Sequence, residues 1–379
     1  MRIIIAPDKF KGSMSAPEAA KCMARGIRSV LSNVELILFP LSDGGEGLIE
    51  SLASAADDTI NNLKVTGPLG KPVEAQWGII DDGNTAVIEM AAASGLSLVP
   101  ENERNPLIAT TYGTGQLIKA ALDHGCSNLI IGIGGSATND GGAGMVRALG
   151  AKLLDQNEQP LANGGAELQR LAKIDLSGLD HRLKEVSVKV ACDVNNPLTG
   201  PNGASYIYGP QKGASKQMIE QLDQALKNYS RVIKKDLGID IEDVPGSGAA
   251  GGLGAGLIAF LQAELCSGIE LVLDALKIDQ FLPRSRLLIT GEGKLDAQSA
   301  QGKAPVGAAR RAAKSNIPVV AIAGSLEGNL DMFHSEGITA CFSIADGPLS
   351  LQESMDKGPR LLEIKTAELI RLWHLSQII

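Results

Sequence analysis

Residues 2–41 read RIIIAPDKFKGSMSAPEAAKCMARGIRSVLSNVELILFPL. Two apolar runs of strand length, RIIIA (2–6) and ELILFPL (35–41), flank a helical pattern. Ser15 and Glu18 form an SxxE capping box, and Ala20, Met23, Ala24, Ile27, Val30 and Leu31 recur at helical spacing to give one buried face. Linkers this short make the two runs parallel neighbours joined by a crossover helix. The last third of the chain alternates in the same way, with RLLIT (286–290), a helix around 304–314, IPVVAIAG (317–324), another helix, and ITACFSIA (338–345). This alternation predicts doubly wound α/β structure.

The middle reads differently. Between 65 and 92, Gly-Pro, Gly-Lys-Pro and Asp-Gly-Asn signals predict hairpins rather than crossovers. A helix, the strand NLIIGIG (128–134), a glycine-rich turn, a helix from Ala143, a strand near VSVKVACD (186–193) and long helices near 216–237 and 252–265 follow. The expected fold is therefore two α/β domains: a doubly wound parallel-sheet domain (1–66 and 285–379) with a second, mixed α/β domain (67–284) inserted in it.

Composition narrows the function. The chain has 379 residues, 44% of them hydrophobic, which is ample for buried cores and argues against disorder. A net charge of −8 and 3% aromatic residues leave neither a footprint for phosphate backbones nor platforms for stacked bases, so no nucleic-acid partner is expected. The apolar start is broken at Asp8, far short of a signal-peptide core or a membrane span, so no membrane partner is expected either. The five cysteines contain no CxxC pair and the four histidines never fall at metal-ligand spacing. A cytoplasmic protein that does not rely on histidine chemistry is expected; a homodimer is compatible with the sequence.

Three strand ends of the first domain carry polar, glycine-rich text: DKFKGS (8–13), DGGEG (43–47) and GEGKLD (291–296). A parallel sheet would bring all three to one carboxyl edge, where α/β proteins place ligands. There, Asp8, Asp43, Glu46, Glu292 and Asp296 beside Lys9, Lys11 and Lys294 supply what a divalent cation and a polyanionic substrate jointly require. The second domain offers GIGGSATNDGGAG (132–144), whose turn amides could form an anion nest with donors from Ser136, Thr138 and Asn139. The strand ending ACDVNNPLTGPNGAS (191–205) places Asp193, Asn195 and Asn196 at its carboxyl end, although Asp193 could equally serve only to hold turn amides. GSGAAG (246–251) matches GxGxxG but follows acidic text and a proline rather than a hydrophobic strand, and no GxxxxGK[ST] stretch exists.

Seven segments, APDKFKGSMSA (6–16), PLSDGGEG (40–47), IGIGGSATNDGGAGM (131–145), ACDVNNPLTGPNGAS (191–205), YGPQKGA (208–214), TGEGKLDAQSAQGKAP (290–305) and AIAGSL (321–326), follow one another in an order that resembles the bacterial glycerate kinase family over nearly the whole chain. The resemblance implies two α/β domains with the site between them, and ATP-dependent phosphorylation of D-glycerate with Mg²⁺ or another divalent cation. It also implies 2-phosphoglycerate in preference to 3-phosphoglycerate. The expected catalytic groups are Asp193, Lys11, Asp296 and Lys294, with metal ligands Asp43, Glu46 and Glu292. Substrate and phosphate groups are expected at Asp8, Ser13, Gly44, Gly45, Gly134, Gly135, Ser136, Thr138, Asn139, Asn195, Asn196, Gly291 and Gly293. The family's first segment often has Ser where this chain has Lys9, so Lys11 is the preferred cation. Which glycine-rich turn faces ATP stays open. The competing reading is a non-catalytic hydroxy-acid or nucleotide sensor on the same scaffold; an NAD-dependent oxidoreductase stands third.

Overall fold

A computed structural model describes residues 1–53 and 59–375. Its strands, in chain order, are β1 (Arg2–Pro7), β2 (Glu35–Leu38), β3 (Thr59–Thr66), β4 (Pro72–Ile80), β5 (Thr85–Glu89), β6 (Asn128–Gly132), β7 (Lys152–Leu154), β8 (Lys173–Asp175), β9 (Ser187–Ala191), β10 (Glu264–Cys266), β11 (Ser285–Leu295), β12 (Val319–Leu326) and β13 (Ala340–Ser343). The chain divides into two compact units, one made of Met1–Asp43, Glu50–Asp57 and Ile269–Ile379, the other of Gly44–Ile49 and Asp58–Gly268.

The first unit is built on a five-stranded sheet, order β13-β12-β11-β1-β2, parallel throughout. Its first crossover is the helix Ala16–Arg28, which starts where the capping box places it: Ser15 N–H donates to Glu18 Oε2 at 2.8 Å, and Ser15 Oγ accepts from Glu18 N–H. Ala20, Met23, Ala24 and Ile27 pack with Ile3 and Ile5 of the sheet and with Leu361, Leu362, Leu369 and Ile370 of the helix Leu351–Leu375. At Gly26 the two helices meet so closely that a Cβ would lie 2.4 Å from the Glu363 carbonyl oxygen, so a larger residue would force them apart.

The second unit carries a six-stranded mixed sheet, order β10-β9-β6-β5-β4-β3. The β3–β4 and β4–β5 pairs are antiparallel, as the turn signals require, and β5–β6, β6–β9 and β9–β10 are parallel. Ile88, Ile131, Val190, Leu117 and Leu253 share a core with the buried Tyr229 of the helix Lys216–Leu237. A separate hairpin pairs β7 with β8.

Two details differ from the sequence expectation. The unit limits do not coincide with 66/67 and 284/285, because β3 pairs along its whole length with β4 and Ile269–Arg284 belongs with the first unit. GEGKLD does not leave the sheet as a loop after Thr290. β11 continues to Leu295, with Glu292 opposite Ala323 and Lys294 opposite Ser325.

Candidate active site

Parallel pairing of β1 with β2 and β11 brings Asp8, Asp43 and Glu292 to the carboxyl side of the first sheet. The Asp8 amide donates to the Gly291 carbonyl at 2.8 Å, which extends the ladder into the motif. Asp8 and Glu292 are both buried. Burial first, and the Asp43 charge second, push the Asp8 carboxyl up to about 7. Burial pushes Glu292 up to about 7 as well, the Asp8 charge adding to the effect while the Ser299 side chain opposes it. Lys9 and Lys303 act on Asp8 in the opposite sense without offsetting its burial.

Other members of these segments are already engaged. Gly293 N–H donates to the Lys9 carbonyl at 3.3 Å, so that amide serves strand pairing instead of a phosphate. A Cβ at Gly291 would lie 2.0 Å from the Ile322 carbonyl oxygen, which explains this glycine by packing. Ser13 Oγ donates to the Met355 carbonyl at 2.6 Å. Lys294 is exposed and ion-paired to Glu327 and to Asp296, the latter at 3.6 Å. Asp296 Oδ1 accepts from the amides of Gln298 (2.9 Å) and Ser299 (3.2 Å), capping the short turn that follows; the Ser299 amide is the main reason its carboxyl lies below the usual range. Lys11 is exposed on the turn after β1.

DGGEG is divided between the units: Asp43 stays with the first, and Gly44, Gly45 and Glu46 go with the second. A Cβ at Gly44 would lie 2.3 Å from the Ala191 side chain, and one at Gly132 would lie 2.5 Å from the Gly44 carbonyl oxygen. Glycine is therefore required on both sides of this contact, at the carboxyl ends of β6 and β9. A residue overlooked in the sequence, Glu89 at the end of β5, holds the segment. Its Oε1 accepts from the amides of Gly47 (3.2 Å) and Ile49 (2.9 Å). The available signal was an acidic residue ending the apolar run TAVI.

Beside it lies the glycine-rich turn after β6. Gly134 and Gly135 are exposed, but Ser136, Thr138, Asn139 and Asp140 are buried and point inward. Asp140 accepts from Thr111 N–H and Oγ1 (both 2.9 Å), Gly144 N–H (3.1 Å) and Gly142 N–H (3.3 Å), which pins the helix Ala143–Ala148. Asn139 Nδ2 donates to Ser205 Oγ at 2.9 Å. Ser136, Thr138 and Asn139, expected to donate to a ligand, are thus buried, with Asn139 committed to Ser205, while Gly134 and Gly135 are exposed and the Gly135 carbonyl accepts from Leu96 N–H at 2.8 Å.

After β9, Asp193 is exposed and its Oδ1 accepts from Gly268 N–H at 2.9 Å. Asn195 is exposed too, whereas Asn196 is engaged at both ends of its amide: Nδ2 donates to Asn202 O at 2.8 Å and Oδ1 accepts from Tyr208 at 2.7 Å. Asp193 and Asn195 are therefore exposed polar side chains directly after β9 that a substrate hydroxyl can reach.

Among the described residues no three carboxylate, histidine or cysteine side chains stand close enough to cage an ion, and of the expected ligands Glu46 belongs to the other unit. The donors nevertheless fit a hard cation. Glu292 Oε1 is buried without a hydrogen-bond partner, and Asp8 is raised by burial and then by the neighbouring Asp43 carboxylate, an arrangement that a positive charge would relieve. Mg²⁺ needs only one or two carboxylates, with phosphate and water completing its shell.

The model of the glycerate kinase family matches residues 3–374. The chain belongs to the glycerate kinase family. It is 53% identical to the glycerate 2-kinase of Escherichia coli (strain K12), over 93% of each chain, and 51% identical to the glycerate kinase of Bacillus subtilis (strain 168), over 96% of this chain and 95% of that one. A solved structure of a Salmonella typhimurium LT2 protein described as glycerate kinase 2 superposes with a TM-score of 0.93 at 47% identity, each chain covered in full. This family member is accordingly an enzyme with a mixed α/β fold, and no helix among its described residues is long and apolar enough to cross a membrane.

Proposed function

We propose that this enzyme transfers the γ-phosphoryl group of ATP to D-glycerate, forming 2-phosphoglycerate in preference to 3-phosphoglycerate. The observation that carries the reading is the pair of buried carboxylates Asp8 and Glu292, both raised to about 7 chiefly by burial, at the carboxyl end of the first sheet in a chain of the glycerate kinase family. Preference for the 2-hydroxyl is supported by the name of the Escherichia coli relative.

In this reading Asp43 and Glu292 would hold the divalent cation, with phosphate and water completing its shell. When bound, it supplies charge compensation and orientation to the phosphate oxygens. Lys11 offsets the charge that develops on the migrating phosphoryl, and Lys294 assists while keeping its pairing to Glu327. The Gly134–Gly135 amides receive an anionic group of one substrate, and Asn195 receives a hydroxyl. Asp193 is oriented through its bond to Gly268 N–H and accepts from the acceptor hydroxyl; Asp296, already capping a turn, is the weaker candidate. With a loose transition state the acceptor proton leaves late, so orientation matters more than basicity. Cysteines outside disulfides suit a reducing, cytoplasmic setting.

ADP release with D-glycerate as acceptor, in the presence and absence of EDTA, tests the activity, and phosphorus NMR of the product tests its regiochemistry. Turnover that stops with EDTA and yields 2-phosphoglycerate is expected. Saturable glycerate binding without ADP release would mean a sensor, and full turnover in EDTA would remove the metal from the reading.

A further inference from the structure

Lys212, in the YGPQKGA segment, is one of the largest fully buried side chains of the protein, at 1% exposure. Its place is set by backbone geometry. A short turn, Pro210–Lys212, follows the helix Ala204–Tyr208, and Lys212 N–H closes it on the Gly209 carbonyl at 3.0 Å. Gly213 then takes φ +88, and a Cβ there would lie 2.7 Å from the Arg104 carbonyl oxygen. The chain can reverse only at glycine, and the reversal drives the lysine inward.

The Nζ donates to Ser136 Oγ at 2.8 Å and to the Thr138 carbonyl at 2.6 Å. Both acceptors belong to the turn whose Gly134 and Gly135 face outward. Two further polar atoms of the same turn, Thr138 Oγ1 and Asn139 Oδ1, are buried without partners. A buried ammonium is costly unless it is compensated, and a lysine hidden beneath a solvent-facing glycine turn places a positive charge, shared with Asp140, where the turn's ligand can exploit it.

We infer that Lys212 is the positioning residue of this turn: it holds Ser136 and Thr138 so that the Gly134–Gly135 amides face outward, and its charge makes the turn a receptor for an oxyanion of one substrate, the carboxylate of glycerate or a phosphate of ATP. The inference rests on the kinase reading and extends it to a group that makes no contact with substrate.

The charged surroundings are few. Burial pushes the Lys212 ammonium down to about 7, and Asp140 is the charge that opposes this. Asp140 is itself raised by burial and offset by the Thr111 amide; the buried Tyr229 phenol shares its field. Arg104, on the adjoining loop, reaches the Gln211 carbonyl at 3.3 Å. A lysine lowered this far loses its proton near neutral pH, so the oxyanion should bind less well as pH rises through about 7.

The test measures KM for glycerate and for ATP, with kcat, between pH 6 and 9 in the wild-type enzyme, Lys212→Met, Lys212→Arg and Ser136→Ala. In the wild type, KM for one substrate should climb about tenfold above neutrality. Lys212→Met should raise that same KM about tenfold or more at pH 6 and flatten its pH dependence. Lys212→Arg, which stays charged, should recover most of the loss and remain flat to pH 9. Ser136→Ala removes a bond that favours the ammonium, so its KM rise should begin at lower pH. It carries the test if the Met variant does not fold. Which substrate's KM moves identifies the oxyanion as carboxylate or phosphate. The inference is overturned if both KM values keep their wild-type pH dependence in Lys212→Met, or if Ser136→Ala leaves the KM profile in place while only thermal stability falls. Should the wild type release no ADP, the kinase reading fails instead. Calorimetric binding of glycerate and of ADP across the same variants and pH values then decides the role of Lys212 on the same criteria.

Discussion

Asp8 sits in the field of Asp43, and together with burial that neighbouring charge pushes the Asp8 carboxyl up to about 7. The two aspartates belong to different strand ends, after β1 and after β2, and are brought together by the parallel register of those strands. A site that keeps such a pair stores free energy that a bound cation can release.

The stored energy should be visible as a pH dependence of stability. Both Asp8 and Glu292 have folded pKa values above their unfolded ones, so their contribution to stability is fully present below about pH 4 and is lost as pH rises through about 7. At pH 8, without metal, Asp8→Asn should therefore stabilise the protein by on the order of 2 to 4 kcal/mol, and by much less at pH 4. Urea unfolding at the two pH values measures the difference; equal effects would remove the proposed strain.

Glu89 should matter although it need not touch substrate. Glu89→Ala releases the amides of Gly47 and Ile49 and with them the segment packed on Ala191. Hydrogen exchange at these two amides is expected to accelerate, and turnover to fall about tenfold or more because groups of this segment lose their alignment.

Asp193→Asn is a clean probe of the acceptor-hydroxyl role, since the amide oxygen can still accept from Gly268 N–H and keep the loop in place. Turnover should fall by roughly 10² to 10⁴ with ATP affinity changed only a fewfold. Loss of ATP and metal binding with glycerate binding retained would assign Asp193 to the metal instead.

Lys11→Ala is expected to lower kcat by about 10² or more, while Lys9→Ser has a smaller effect. Steady-state kinetics of the two variants decide between them, and a larger loss at Lys9 would reverse the assignment within DKFK.

Much of the fold was legible because it rests on local chemistry. The Ser15–Glu18 box, the apolar periodicity of Ala20 to Ile27 and the turn signals between β3 and β5 act over a few residues each, and the structure places the helix and hairpins where they point. GEGKLD lies past the strand expected at 286–290, yet the strand runs on through it, and at Gly291 glycine is needed for it to lie against the Ile322 carbonyl.

The sequence by itself determined the α/β class, the family and the residue types concentrated at the strand ends. Only the tertiary structure decided what each group is free to do. Ser13, Asn196 and Asp296 are engaged by backbone groups near or far along the chain; Gly44 and Gly132 serve each other's close approach; and Glu89 and Lys212, inconspicuous in the text, hold the segments around them. The physical reason is that a hydrogen bond is local in space but not in sequence. Spacing reveals which residues share a face of one element, whereas the partner of a buried donor, such as Lys212 on Ser136 some 76 positions earlier, is fixed only when the chain has folded back on itself.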